Sequence, residues 1–277
     1  MAEMVDALFA PLSQGFVLRA LVAGAVLGGV GALLGVFVVQ RGLGLLSDGL
    51  AHATFGGVAL GLLLGTTADR ALLVALPFTV GIALGIQYVR QHTHLGGEVA
   101  TGVFFAVSFA AGILFIGLRP PSGTPVNVEG LLFGSLLAVS PETLGIILGV
   151  AVVVVAILAT IGSRLAYATF DPELALLSGV PVAALEYTLL ALTAVVVVVG
   201  VKTVGVVLVS AFVVIPAAAA SLLGRRLAVI AALAVALGVT GTAFGLFVSY
   251  HLNVATGATI ILILGASFFL ALVFRRR

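Results

Sequence analysis

By length alone, 277 residues would suit one or two soluble domains, but 62% of them are hydrophobic and only 8% are charged, where a soluble domain carries roughly 45–50% and about 25%. Twelve basic and ten acidic side chains cannot cover a water-facing surface. That excludes a soluble enzyme, a nucleic-acid binder and a disordered chain, and leaves an all-α polytopic membrane protein read as one transmembrane domain over residues 1–277. The net charge of +2 is too small to favour anionic partners, and the absence of cysteine excludes disulfides, thiolate metal sites and a cysteine nucleophile.

A bilayer core asks for about 20 apolar residues per helix. Residues 1–14 carry Glu3 and Asp6 and read as an interfacial lead-in, without the basic start of a signal peptide. Spans are expected at about Phe16–Val39, a short one at Leu50–Gly65, then Ala71–Val89 with Pro77 as a kink, and Val99–Leu118. The proline-rich stretch Arg119–Pro125 cannot be helical, and Val128–Val139 is too short to cross, so it reads as re-entrant or interfacial. A fifth span covers Thr143–Ile161. Ser163–Pro181, with Arg164, Asp171, Glu173 and two prolines, reads as a structured loop outside the bilayer. Leu185–Leu223 is apolar nearly throughout and, at 1.5 Å per residue, about 57 Å long. It must fold back once, with the turn expected at Gly200-Val201-Lys202-Thr203 and Lys202 snorkelling there. Leu227–Ser249 and Thr256–Phe274 complete eight or nine spans.

Placing the loops with Arg41, Arg90, Arg164, Arg225 and Arg226 on the same side as Arg275–Arg277 gathers eight of the twelve basic residues. By the positive-inside rule that side is cytoplasmic, so the chain is expected to sit in the cell membrane with the 163–181 loop inside and the 119–125 loop outside. These residues leave no room for a soluble domain, so any energy source is an ion gradient or another subunit.

Ionisable groups inside a bilayer are costly and are functional candidates by default. Asp48 and His52 have i, i+4 spacing, which puts a carboxylate and an imidazole on one helix face, a donor set that suits zinc or manganese. Asp48 also sits where a helix N-cap would, with His52 bonding its neighbour, and both readings stand at this point. His251, between the last two spans, is a further candidate at the outward mouth, weighed against an interfacial histidine with no role. His92 and His94 with Glu98 read as a solvated loop. Pro216 interrupts a mid-membrane helix, where freed carbonyls can line a path. Asp171-Pro172-Glu173-Leu174-Ala175-Leu176-Leu177-Ser178-Gly179 has the boundary signals of a short helix: Asp171 at the N-cap, Pro172 at the first position, Glu173 in the first turn and Gly179 past the end. Leu174 and Leu177 share one face. Metalloprotease, nucleophile-elbow and phosphate-loop motifs are absent, so an intramembrane enzyme has nothing to work with.

Four segments together resemble one family. Ser47–Gly61, Leu132–Val139, Phe170–Pro181 and Val204–Ala220 are similar, in order and spacing, to the permease subunits of zinc/manganese-type ABC importers. The resemblance implies that Asp48 and His52 lie on the ion path and that Phe170–Pro181 is the coupling segment docking on the ATPase. It further implies a homodimer, two copies of a separate ATP-binding subunit, an extracytoplasmic metal-binding protein that delivers the ion, and no permanently bound cofactor. The family varies around Tyr250-His251, so the resemblance does not carry over to His251. A gradient-driven metal/proton exchanger is the alternative, since an Asp/His pair suits it too. Against it stands a structured cytoplasmic loop without metal ligands. An importer of a larger chelate would make Asp48 and His52 an odd choice.

Overall fold

The computed structural model describes residues 14–119 and 134–275, the side chains of residues 68 and 69 excepted. Among these, nine helices are long and apolar enough to cross a membrane. They are α1 (Gly15–Gln40), α2 (Leu46–Leu63), α3 (Ala68–His92), α4 (Gly97–Gly117), α5 (Pro141–Phe170), α7 (Val182–Val204), α8 (Val206–Leu223), α9 (Leu227–Leu252) and α10 (Thr256–Val273). A short helix, α6 (Pro172–Leu177), links α5 to α7, and Leu136–Ala138 forms a single 3-10 turn. Helix is the only open-ended structure that satisfies every backbone group in hydrocarbon, and the long apolar runs leave the chain no other choice.

Four helices form the interior. α1, α2, α7 and α8 are mostly buried, and α3, α4, α5, α9 and α10 surround them with apolar side chains facing outward. Lipid is as apolar as leucine, so burial alone does not draw helices together in a bilayer. Close backbone approach does. A Cβ on Gly28 of α1 would lie 2.8 Å from the Gly238 carbonyl oxygen of α9, and one on Gly35 would overlap the Val213 carbonyl of α8. On α2, a Cβ on Gly57 would sit 2.7 Å from the Ala75 Cα of α3. Arg19, the cation inside the first span, donates through Nε to the Val139 carbonyl at 3.2 Å and so pins the 3-10 segment against α1.

The structure moves several expected boundaries. The reversal within 185–223 falls at Gly205 (φ 86°, ψ 166°), a conformation closed to residues with a Cβ, and not at Gly200–Thr203, which stays helical with Lys202 in the last turn of α7. α5 continues to Phe170, so the structured loop shrinks from 163–181 to α6 and its flanks. The residues from 163 to 170 carry Arg164 but no helix breaker, and the helix runs through them. The second span begins at Leu46, four residues early, which brings Asp48 inside the helix. α3 runs through Pro77 and α8 through Pro216, so Pro216 removes one N–H donor without breaking its helix. The expected lead-in over residues 1–13, the stretch 120–125 and the first part of 128–139 lie outside the described residues.

The contact between α1 and α8 has a direct test. Gly35→Ala should destabilise the protein by about 1–3 kcal/mol, because two backbones must separate, whereas Gly145→Ala on α5, with nothing within 4 Å of its added Cβ, should be neutral. Thermal unfolding in detergent reads the difference, and equal melting temperatures would contradict the close approach.

Candidate functional site

Asp48 stands in the first turn of α2 and His52 one turn on. The N-cap position belongs to Leu45, and no side chain caps the helix, so Asp48 is not a cap. Its carboxylate Oδ1 lies 3.4 Å from the Ser210 hydroxyl of α8, whose single hydrogen is shared between that oxygen and the Val206 carbonyl at 3.1 Å. The His52 Nδ1 lies 2.9 Å from the Asp48 carbonyl oxygen and 3.7 Å from its Oδ1. A carbonyl can only accept, so Nδ1 carries the hydrogen and the lone pair of the neutral ring sits on Nε2. The edges of Phe105 and Phe109 of α4 hold the ring, with centroids 4.8 and 5.7 Å away. The site therefore draws on three helices, and Ser210 precedes by eleven residues, about 16 Å along α8, the Ser221 that bonds Gln40.

Exposure is the telling property. The Asp48 side chain is 51% accessible and that of His52 23%, although both belong to a membrane-crossing helix. Hydrocarbon cannot cover a half-exposed carboxylate, so this face must meet water or more protein. Among the described residues no three His, Asp or Glu side chains gather as a metal-binding group. One chain thus offers a carboxylate, an imidazole and a hydroxyl. Ser210 is the member that sequence reasoning missed, because one serine in an apolar helix carries no spacing signal.

The other candidates stay apart from this pair. His251, exposed in the last turn of α9, bonds the Phe247 carbonyl (2.9 Å) and lies against the Phe247 ring at a tilt, with centroids 4.3 Å apart. His92 likewise bonds the Tyr88 carbonyl (2.9 Å) and stacks on the Tyr88 ring at 4.2 Å.

A second polar cluster lies at the end of the bundle where α1 stops. Arg41, just past α1, bonds Glu186 of α7 (2.8 Å) and, through Nε, Thr169 of α5 (3.1 Å). Gln87 of α3 donates to the other Glu186 oxygen at 2.5 Å, and Arg90 to the Gln87 side-chain oxygen Oε1 at 2.7 Å. Burial pulls the Arg41 guanidinium below its ordinary value, with Glu186 opposing and Arg90 adding to the shift. Arginine nevertheless keeps its charge in proteins.

Beside this cluster sits α6. Asp171 Oδ1 accepts from the Leu174 N–H at 2.9 Å, Pro172 opens the helix with Glu173 in its first turn, and Gly179 closes it at φ 78°. Ala175 packs inward with Leu165, Ala168, Val182 and Leu185, and the Tyr167 hydroxyl meets that of Ser178 at 3.1 Å. Leu174, Leu176 and Leu177 face out, Leu177 being 85% exposed.

Nine apolar helices around a half-exposed Asp–His pair describe a multi-pass membrane permease. Residues 13–275 match the model of the ABC 3 transport family. The chain belongs to that family, and it is a membrane permease of the cell membrane. It is 36% identical to the manganese transport system membrane protein MntC of Halalkalibacterium halodurans, over 95% of this chain and 88% of that one. To the probable iron transport system membrane protein of Haemophilus influenzae it is 30% identical, over 98% and 94% of the two chains. Its structure is similar to PsaBC from Streptococcus pneumoniae solved with a Fab, with a TM-score of 0.82 and 31% identity over 98% of this chain and 94% of the other.

The α6 cap can be tested locally. Asp171→Ala should cost about 0.5–2 kcal/mol and speed amide exchange across α6, while exchange in α7 stays unchanged. Unaltered exchange of the Leu174 amide would contradict the capping role.

Proposed function

We propose that this chain is the membrane subunit of an ATP-driven divalent-metal importer and acts as a homodimer and a single permease unit, with Asp48 and His52 on the ion path. The observation that carries the reading is the half-exposed carboxylate on a membrane-crossing helix. Manganese is favoured as cargo, since the relatives named above are described as manganese and iron transporters. Zinc remains chemically compatible, because one imidazole and a carboxylate suit either ion. Manganese prefers six hard ligands, and a second copy facing the first would add its own donors while covering Asp48.

ATP hydrolysis then belongs to a separate subunit, two copies of which dock on α6 and its flanks on the cytoplasmic side. The exposed Leu174 and Leu177 supply an apolar face for a groove on that partner, and the acidic first turn would be repelled by anionic lipid. An extracytoplasmic metal-binding protein would deliver the ion to the opposite end. His251 stands at that end and is proposed only as a residue of the mouth. Pro216 leaves the Phe212 carbonyl without its usual helical partner next to the α1 contact, a weak point in α8 suited to movement.

In proteoliposomes holding the permease and its ATPase, Asp48→Asn and His52→Ala should each cut manganese uptake by at least about tenfold, since loss of even an outer-shell partner of a metal ligand costs about 10–100-fold. Assembly with the ATPase should be unchanged. Wild-type uptake in both variants would remove the pair from the path, and uptake that persists without ATP would favour a gradient-driven carrier. Leu177→Asp should weaken ATPase docking without altering the folded permease, and full complex yield with that variant would contradict the docking face.

A further inference from the structure

The Arg41 cluster is the most heavily buried set of charged groups in the described chain, and the ion path makes no use of it. The Arg41 side chain is 6% accessible and that of Glu186 20%, and Gln87 is fully buried. Desolvating such a pair costs several kcal/mol per ion, and hydrophobic replacements often do as well or better for stability. A purely structural staple would not need charges here.

The placement of the partners suggests what they do. α6 and its flanks are tied into one packed unit, since Asp171 both ends α5 and caps α6, Tyr167 bonds Ser178, and Ala175 is buried between α5 and α7. Thr169 precedes α6 on that unit and Glu186 follows it. Both grip Arg41, which stands at the corner between α1 and α2. From that corner the chain reaches Leu46, the start of α2, and Asp48 two residues later. Leu43 within the corner is buried against the same core as Leu46 and Leu50, so the corner cannot absorb displacement as a loose loop would. Gln87 holds Glu186 from α3, and Arg90 in turn holds Gln87. Among the described residues, one buried nitrogen of Arg41, Nη2, has no partner, so the guanidinium can take a further acceptor without losing Glu186 or Thr169.

We propose that Arg41 and Glu186 are positioning residues that transmit movement of α6 to the start of α2, and so couple the ATPase to the Asp48–His52 site. This rests on the reading of α6 as the ATPase contact. Removing the charge on Glu186 leaves the docking face and the ion donors in place but cuts the connection between them. Hydrolysis then proceeds without reorganising the site.

The test uses the full permease with its ATPase subunit in proteoliposomes, with manganese as the transported ion, comparing Glu186→Gln and Arg41→Lys with wild type per assembled complex. Manganese carried per ATP hydrolysed should fall at least about fivefold, the low end of typical site-to-site coupling, while hydrolysis itself continues. A purely structural role would lower uptake and hydrolysis together. That result, wild-type coupling in both variants, or failure of both to assemble overturns the proposal. A second readout uses the absence of natural cysteine. Spin labels on Leu45→Cys and Ala183→Cys should keep one narrow separation through the nucleotide cycle, and spread when Glu186→Gln is added. An unchanged distribution in the variant also overturns the proposal. If the wild-type complex shows no ATP-dependent uptake, the transport reading itself fails, which is a separate outcome.

Discussion

Hydrocarbon supplies no hydrogen bonds, so an ionisable side chain carried into this bundle has to be met by protein or left facing a second surface. Arg19 is met by the Val139 carbonyl. Arg41 is met by Glu186 and Thr169. Asp48 is met only in part, by one serine hydroxyl at 3.4 Å and the neighbouring imidazole. The rest of the structure serves this distribution. Glycine contacts bring α1 against α8 and α9, which leaves α2 and α8 close enough for Asp48 and Ser210 to meet. The aromatic edges of α4 fix the ring of His52.

The two polar clusters also differ in kind. The Arg41 set is buried and nearly satisfied within one chain, which suits a part that must stay assembled. The Asp48 set is open and short of donors, which suits a site that holds an ion briefly and releases it. A closed cage of six donors would bind manganese tightly but would not let it pass. On the proposed reading, partial ligation shared with water or a second copy would keep the ion from falling into a trap.

Much of this was legible in the sequence. Apolar runs located the helices, and the signals at Asp171, Pro172 and Gly179 marked α6, whose cap hydrogen bond the structure contains. Boundaries failed where local chemistry was silent. Nothing between residues 163 and 170 stops a helix, so α5 overran its expected end, and the reversal fell at Gly205 instead of the more polar Gly200–Thr203. The i, i+4 spacing of Asp48 and His52 was visible, but whether Asp48 capped the helix depended on where α2 began, and four residues decided it. Ser210 and the Arg41–Glu186 pair were out of reach, because their partners lie 162 and 145 residues away and no local pattern announces such a meeting.

The central claim is that His52 and Asp48 hold the transported ion. Hyperfine spectroscopy on Mn2+ bound to the assembled permease tests it most directly, since imidazole nitrogen couples to the manganese electron spin and carboxylate or water oxygen does not. The account predicts a nitrogen coupling in the wild-type protein that disappears in His52→Gln and persists in His251→Gln. An all-oxygen spectrum, or a nitrogen signal that survives His52→Gln, would contradict it.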